Sequence, residues 1–229
     1  MSSNSPPSSQ RISATDPRRA SGIVERSSSL TRRFWKFELC DGLPRLLTSD
    51  GVRAVRGEPQ RVRTFLNDEF PALTEEAFAP AASDEAARMK REYIETACDL
   101  IELRHADETV GVLVGAPEDW SSYYIRVFAV TQLYQRPNLI RRFGAECVFD
   151  PLRDHAVQRV VADTSPSNIA MSRTLSELHF FATGHQLSER WGPLVRYTKF
   201  LDPACEAAFL ARYSGIAPPG SHGRRKGKP

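Results

Sequence analysis

A chain of 229 residues, 41% of them hydrophobic, is long and apolar enough for one real core plus extensions. A formal charge of +3 excludes a strongly basic nucleic-acid binder as the default reading. No apolar run approaches the ~18 residues that span a bilayer, and the N-terminus has no apolar signal segment, so the sequence reads as a soluble cytoplasmic protein.

Residues 2–30 are rich in serine, proline and arginine and hold almost nothing large and apolar. Such a segment buries too little surface to offset its ordering entropy, so residues 1–30 are expected to form a disordered arm. The chain then gains Phe34, Trp35, Phe37, Leu39, Leu43, Leu46 and Leu47, too apolar for a free tail. Residues 31–49 are therefore expected to dock on a main domain over residues 50–202. Residues 52–56 alternate apolar with charged side chains and read as a half-exposed strand, ended by Gly57-Glu58-Pro59. Val62, Phe65, Leu66, Phe70 and Leu73 recur at helical spacing. Ser83-Asp84 caps a second helix with Ala86, Met89, Tyr93 and Ala97 on one face.

Strand-like runs at 100–104 and 110–114 flank Ala106-Asp107-Glu108-Thr109, a four-residue turn, and make a hairpin. Gly115-Ala116-Pro117-Glu118-Asp119 is expected to break the sheet before the next strand. That strand, residues 123–130, is a run of β-branched and aromatic side chains. Pro137 opens a helical pattern, as proline does at a first helical position. Residues 157–162 form another strand, and Ser165-Pro166-Ser167-Asn168 starts a helix carrying Met171, Leu175 and Leu178 on one face. Two strands, 181–188 and 194–201, close the domain across Gly192-Pro193. A short helix over 203–214 and a disordered basic tail over 215–229 follow; the tail's Arg224-Arg225-Lys226 run reads as a solvated end.

Cys40, Cys98, Cys147 and Cys205 are scattered, without a Cys-x-x-Cys pair or a histidine at metal spacing, and read as buried free thiols in a reducing compartment. No metal site is expected. The chain also lacks a Gly-x-Ser-x-Gly elbow and the glycine loops that hold nucleotides.

Asn168 heads a helix and Phe180 follows twelve residues on. With the order strand, two helices, three antiparallel strands, helix, strand, helix, two strands, this resembles the GNAT superfamily of acyl-CoA-dependent N-acyltransferases. The family's usual shape there is Asn-x-x-Ala-x-x-Leu-Tyr-Glu-Lys-x-Gly-Phe, with Met171 at the alanine in this chain. Its earlier signature, Val-x-Pro-x-Tyr-Arg-Gly-x-Gly-x-Gly, is met at Val130 and Tyr134. Gln135 stands where arginine or glutamine is usual, and the glycine positions hold Arg136, Asn138 and Ile140. The resemblance implies an α/β fold of three layers, α-β-α, around a central, mostly antiparallel mixed sheet of about seven strands.

It also implies a transferase that moves an acyl group, most simply acetyl from acetyl-CoA, to an amine on a small molecule or a protein. The co-substrate's pantetheine arm would pair with the backbone of Phe128 and Val130 as an added strand does. The diphosphate would lie at the turn made by Gln135, Arg136, Pro137, Asn138 and Leu139, where helix-start N–H groups face anions, with Asn168 in support. Asparagine tolerates left-handed backbone and arginine can neutralise phosphate, so both partly stand in for glycine. The other reading of this turn is a capped helix start with solvated arginines, and Asn168 reads equally as an ordinary helix cap.

The family's tyrosine acid falls on Leu175, which has no proton to donate, and the glycine four residues on is His179. Tyr124 and His179 are the candidate catalytic groups: a phenol that donates or relays a proton, and an imidazole acid or base. Each also has a structural reading, Tyr124 as a packing aromatic and His179 as a helix-end histidine favoured by the dipole. Glu102 is a candidate base that reads first as a plain surface carboxylate. The rival function is a catalytically degenerate binding or regulatory module that keeps the fold. Partners on either reading are an acyl-CoA and, for the enzyme, an amine acceptor; membrane and nucleic acid are not among them, and a homodimer is left open.

Overall fold

The computed structural model describes residues 35–74, 83–188 and 191–213. The expected arm, Phe34 and the basic tail lie outside the described residues. Eight strands form one sheet: β1 (Arg45–Leu46), β2 (Arg53–Arg56), β3 (Asp99–His105), β4 (Glu108–Pro117), β5 (Ser122–Val130), β6 (Arg159–Thr164), β7 (Phe181–Ser188) and β8 (Gly192–Phe200). Their order across the sheet is β1-β2-β3-β4-β5-β6-β8-β7. Among the described residues only β5 and β6 run parallel. The expected seven strands become eight because the segment before the domain supplies β1, a two-residue strand pairing with Ala54 and Arg53.

Helices cover both faces. On one face lie α1 (Pro59–Glu69), the short α2 (Pro71–Thr74) and α3 (Asp84–Ala97). Val62, Phe65 and Leu66 of α1 pack there with Leu100, Val112, Val114 and Ala129 of the sheet. On the other face α4 (Pro137–Phe143) runs on through a π-helical stretch, Gly144–Phe149, into α5 (Asp150–Asp154), and α6 (Ile169–Glu177) lies beside it. Leu139, Phe143, Leu152 and Leu175 from these helices share a core with Ile101, Leu113, Tyr123 and Val160. Alternation along each strand sends one set of side chains to each core. A last helix, α7 (Pro203–Tyr213), stacks Phe209 on Phe181 and Phe200.

The segment before β2 belongs to the second face. Trp35 is buried against Tyr123 and donates its indole N–H to the Asp119 carbonyl at 2.9 Å. Arg45 donates to the Glu146 carbonyl at 2.7 Å, inside the π-helical stretch, and Arg142 donates back to the Leu47 carbonyl at 2.9 Å. A carbonyl of the irregular helical turn thereby finds a donor.

Two local expectations are corrected. The hairpin turn is Ala106-Asp107 alone, with Ala106 at φ 52, because pairing runs on to His105 and Glu108. The break expected over Gly115-Ala116-Pro117-Glu118-Asp119 starts later: Gly115, Ala116 and Pro117 still pair in β4, and the interruption is residues 118–121. A Cβ on Gly115 would lie 2.5 Å from the Tyr123 hydroxyl, so this glycine admits an aromatic side chain rather than a bend.

Candidate active site

Strand β5 organises the site. It pairs with β4 along its length, but the register slips between Val114–Val127 and Gly115–Ile125, leaving Arg126 as an extra residue in β5. Such a bulge bends a strand and raises its twist. With β6 it pairs only from Ser122–Arg159 to Ile125–Ala162. Past that point the two strands part, and the last residues of β5 face a gap instead of a neighbour.

The Thr131 N–H donates to the Val110 carbonyl at 2.9 Å. By alternation, Ala129 and Val127 also turn their backbone groups toward β4, while Phe128 and Val130 turn theirs toward the gap. The Phe128 ring stacks on Phe143 at 5.6 Å, 6° from parallel, so the strand is supported from below. The Val130 carbonyl is taken, since Gln135 reaches back and donates its amide to it at 2.9 Å.

Helix α4 starts beside this strand end. Arg136 is its N-cap, Pro137 has no N–H to give, and the first return bond is Ile140 N–H to the Arg136 carbonyl at 3.1 Å. The N–H groups of Asn138 and Leu139 therefore have no intrahelical acceptor, and the Arg136 side chain does not cap them. The Arg136 guanidinium pairs with Asp50 at 2.7 Å. Hydrogen bonds from Thr48 and then Arg136 hold the Asp50 carboxyl below its usual range. Tyr134 and Asp50 meet through His105, whose Nε2 lies 3.0 Å from the Asp50 carbonyl and whose Nδ1 lies 2.7 Å from the Tyr134 hydroxyl. A carbonyl only accepts, so Nε2 is the donor to Asp50. The tyrosine of the loop signature is thus an anchor of the loop to the sheet.

On the face covered by α1 and α3, the point where β5 and β6 part carries a polar group of four strands. Tyr124 of β5 faces the Asp163 carboxylate of β6. Asp163 also accepts from Arg196 Nε of β8 at 3.2 Å and from the Gln186 amide of β7 at 2.7 Å. Arg196 extends a second nitrogen to Glu118, just past β4, at 2.7 Å. The Asp163 side chain is 3% exposed. Burial first, then the charge and hydrogen bonding of Asp163, push the Tyr124 phenol up to about 12, so it is protonated at neutral pH.

The remaining candidates are placed as follows. Asn168 is the N-cap of α6, its side-chain oxygen accepting from Met171 N–H at 3.1 Å. It sits past the end of β6, on the side of the gap. Leu175 is core. His179 follows the far end of α6 at φ 61. The strand it leads into begins opposite Thr198, and Thr198 pairs with Val161 on the paired stretch of β6. His179 therefore lies at the closed end of the sheet, in a pocket with Arg153, Lys199 and Glu206, and is not brought together with Tyr124. Glu102 is not a surface carboxylate: it is 1% exposed, accepting from Glu58 N–H at 2.8 Å and Thr109 Oγ1 at 2.9 Å. Those bonds tie the start of α1 to β3 and β4.

Sequence reasoning missed Asp163, Arg196 and Glu118. The one available signal was a carboxylate directly after the apolar run Val160-Val161-Ala162; its partners come from segments far apart in the chain. Among the described residues no group of three or more His, Cys, Asp or Glu side chains is placed to hold a metal ion, and no helix is long and apolar enough to cross a membrane.

No family model matches the sequence, and no curated protein matches it. Solved structures do. An acetyltransferase of Salmonella typhimurium that modifies the N-terminal serine of a ribosomal protein is 13% identical, with a TM-score of 0.51 over 68% of this chain and 98% of that one. A spermidine N-acetyltransferase of Vibrio cholerae, solved with CoA and spermine, is 15% identical, with a TM-score of 0.51 over 67% of this chain and 97% of that one. With its strand order, its bulged and splayed central pair and its three layers, the chain has the fold of the GNAT acetyltransferases.

Proposed function

We propose that this protein is an acyl-CoA-dependent N-acyltransferase, most simply an acetyltransferase acting on an amine of a small molecule or a protein. The observation that carries this reading is the parting of β5 from β6 just past Ile125–Ala162, beside an uncapped helix start. An acyl-CoA is an extended chain of amides ending in an anionic diphosphate, and its thioester supplies the activated acyl group. The open backbone of Phe128 suits the amides as an added strand would. The N–H groups of Asn138 and Leu139 suit the diphosphate. Arg136 stands at the N-cap and can exchange Asp50 for a phosphate. Tyr124 lies at the point where the strands part, within the region where proton transfer is needed. The free thiols, three of them buried, support a reducing cytoplasm as its location. The outer strand β7, mostly exposed and free of charged side chains, supports pairing with a second copy.

One observation favours the second reading, a binding module without turnover. The Gln135 amide sits on the Val130 carbonyl, one of the two backbone positions an acyl-CoA arm would use.

The test is thermal stability with and without acetyl-CoA, CoA and a long-chain acyl-CoA. A ligand at 100 times its dissociation constant adds about 2.7 kcal/mol, which a melting shift reports readily. A shift that Arg136→Glu abolishes, together with thiol release from acetyl-CoA, supports the transferase. A shift without thiol release for any amine supports the module, and no shift with any donor overturns both.

A further inference from the structure

Proton transfer in this chain cannot follow the helix that carries it in the resemblance, because Leu175 is a buried hydrocarbon there. The group at the parting of β5 and β6 offers another route. The Tyr124 phenol is directed at the Asp163 carboxylate, and a phenol that donates to a carboxylate turns its oxygen lone pairs the other way. Asp163 is fixed from two further sides: Arg196 Nε at 3.2 Å and Gln186 Nε2 at 2.7 Å occupy its two oxygens. Arg196 is itself held by Glu118, and its guanidinium lies 6.0 Å from the centre of the Tyr124 ring. Arg126, the bulged residue of β5, stacks over Tyr93 of α3 at 5.4 Å, so its charge also borders this group. The charged groups facing Tyr124 are thus Asp163, Arg126 and Arg196, with Glu118 behind Arg196. The Asp163 carboxylate, 3% exposed and one residue beyond the last β5–β6 pair, lies directly opposite Arg196 of β8 and meets Tyr124 from the β5 side.

We propose that Tyr124 and Asp163 form a two-step proton relay serving the acceptor amine, Tyr124 touching the amine and Asp163 acting through it. The proposal rests on the acyltransferase reading. As the amine nitrogen bonds the acyl carbon and the carbon–sulfur bond breaks, the N–H proton passes to the Tyr124 oxygen while the Tyr124 proton passes to Asp163. The same path run backwards returns the proton from Asp163 through Tyr124 to the leaving thiolate. One proton has then moved from nitrogen to sulfur, and both side chains are restored. Tyr124 is the catalytic residue of the pair, Asp163 its positioning residue and proton store. Arg196 and Gln186 keep the carboxylate oriented.

The experiment compares wild type with Tyr124→Phe, Asp163→Asn and the double variant. Acetyl-CoA binding is read by melting shift, and thiol release is followed from pH 6 to 9.5 with spermidine and a serine-initiated peptide as amines. Both substitutions keep side-chain volume, and the melting temperature of each variant without ligand shows that turnover is compared between folded proteins. Each single variant is expected to lose about 100-fold in turnover near pH 7 with the acetyl-CoA affinity unchanged, and the double variant to be no worse than the weaker single. Part of the loss should return near pH 9.5, where the amine is itself deprotonated; a merely structural defect would not recover with pH. Wild-type turnover in either single variant, or equal loss at every pH, overturns the relay. If wild type neither binds acetyl-CoA nor releases thiol, it is the acyltransferase reading that fails. The pair is then judged by phenolate absorbance, taking wild type minus Tyr124→Phe. Its midpoint of about 12 should drop toward the ordinary tyrosine value of about 10 in Asp163→Asn, and a midpoint that stays put overturns the coupling.

Discussion

The two ends of the β5–β6 pair are built from the same strands and do different things. At the closed end, Ser122 to Ile125 pair with Arg159 to Ala162, and Tyr123, Val160, Leu152 and Trp35 are all buried in one core. The polar groups there are locked to one another. Asp119 accepts from Ser121 N–H at 2.7 Å, Ser122 Oγ at 3.0 Å and Arg159 Nη2 at 3.0 Å, and Arg159 Nε also donates to Ser122 Oγ. Toward the open end the backbone of Phe128 has no neighbour on the β6 side and the two helix-start N–H groups have no intrahelical acceptor, and at the boundary the Tyr124 phenol faces the Asp163 carboxylate. Backbone groups at a helix start or a parted strand are open to water or to a ligand. The bulged residue Arg126 follows the last paired residue, Ile125, and Tyr124 stands just inside that boundary.

The largest effects should come from the closed end and fall on stability. Leu152 is fully buried on α5. Leu152→Ala should cost about 2–5 kcal/mol in urea unfolding through lost burial and a cavity. The folded fraction should keep its affinity for acetyl-CoA. Affinity lost in step with stability would mean that the two ends are not separable. Asp119→Asn comes next, at about 1–2 kcal/mol for this partly exposed set of charged hydrogen bonds. Burial raises the Asp119 pKa, but hydrogen bonds from Ser121 N–H, Ser122, Arg159 and Ser121 Oγ outweigh it, and the net shift is downward. A depressed carboxylate stabilises the fold fully above its ordinary value of about 3.9 and loses that contribution as pH falls through the lower folded value. The gap between wild type and Asp119→Asn should therefore be full at pH 7 and shrink below about pH 4. A gap that widens in acid would contradict the sign.

Much of this contrast was legible from the residues, and the missing part has a physical cause. Strands and helices announce themselves locally: the aromatic and β-branched run of β5, Pro137 at a first helical position, and Asn168 ahead of an apolar stripe each specify an element within a few residues. The helix cap at Asn168 is present as read. The polar group at the open end is not local. Glu118, Tyr124, Asp163, Gln186 and Arg196 meet only because β8 pairs with β6 and the β7–β8 hairpin folds back, and no spacing encodes that. Glu102 misled for a related reason. A carboxylate in an alternating strand looks solvent-facing, yet both of its faces here lie under helices, and α1 supplies an N–H for it. His179 was attractive because it sits next to Phe180 in a family position, but neighbours in sequence at the end of a helix point to the end of the sheet where that helix stops.

Two smaller effects sharpen the comparison at α6, whose ends lie at the two ends of the sheet. Asn168→Ala removes the cap at the open end and should cost about 1 kcal/mol, while Asn168→Asp keeps an accepting oxygen and most of that stability. If Asn168 only caps, both variants bind acetyl-CoA as wild type does. If its amide also supports the co-substrate, the aspartate variant keeps stability and loses affinity, through lost donors and added negative charge. His179, at the other end, should give the smallest change. Its φ of 61 is a conformation that costs a non-glycine residue about 1–2 kcal/mol, and glycine adds about 0.5–1 kcal/mol of chain entropy to the unfolded state. His179→Gly should therefore raise stability by no more than about 1 kcal/mol. Turnover with acetyl-CoA and any amine that the wild type accepts should stay unchanged, because the imidazole stands beside Lys199 and Glu206 at the closed end. Loss of turnover comparable to that of Tyr124→Phe would place chemistry at both ends of the sheet. The parting of β5 from β6 would then no longer mark the reactive end.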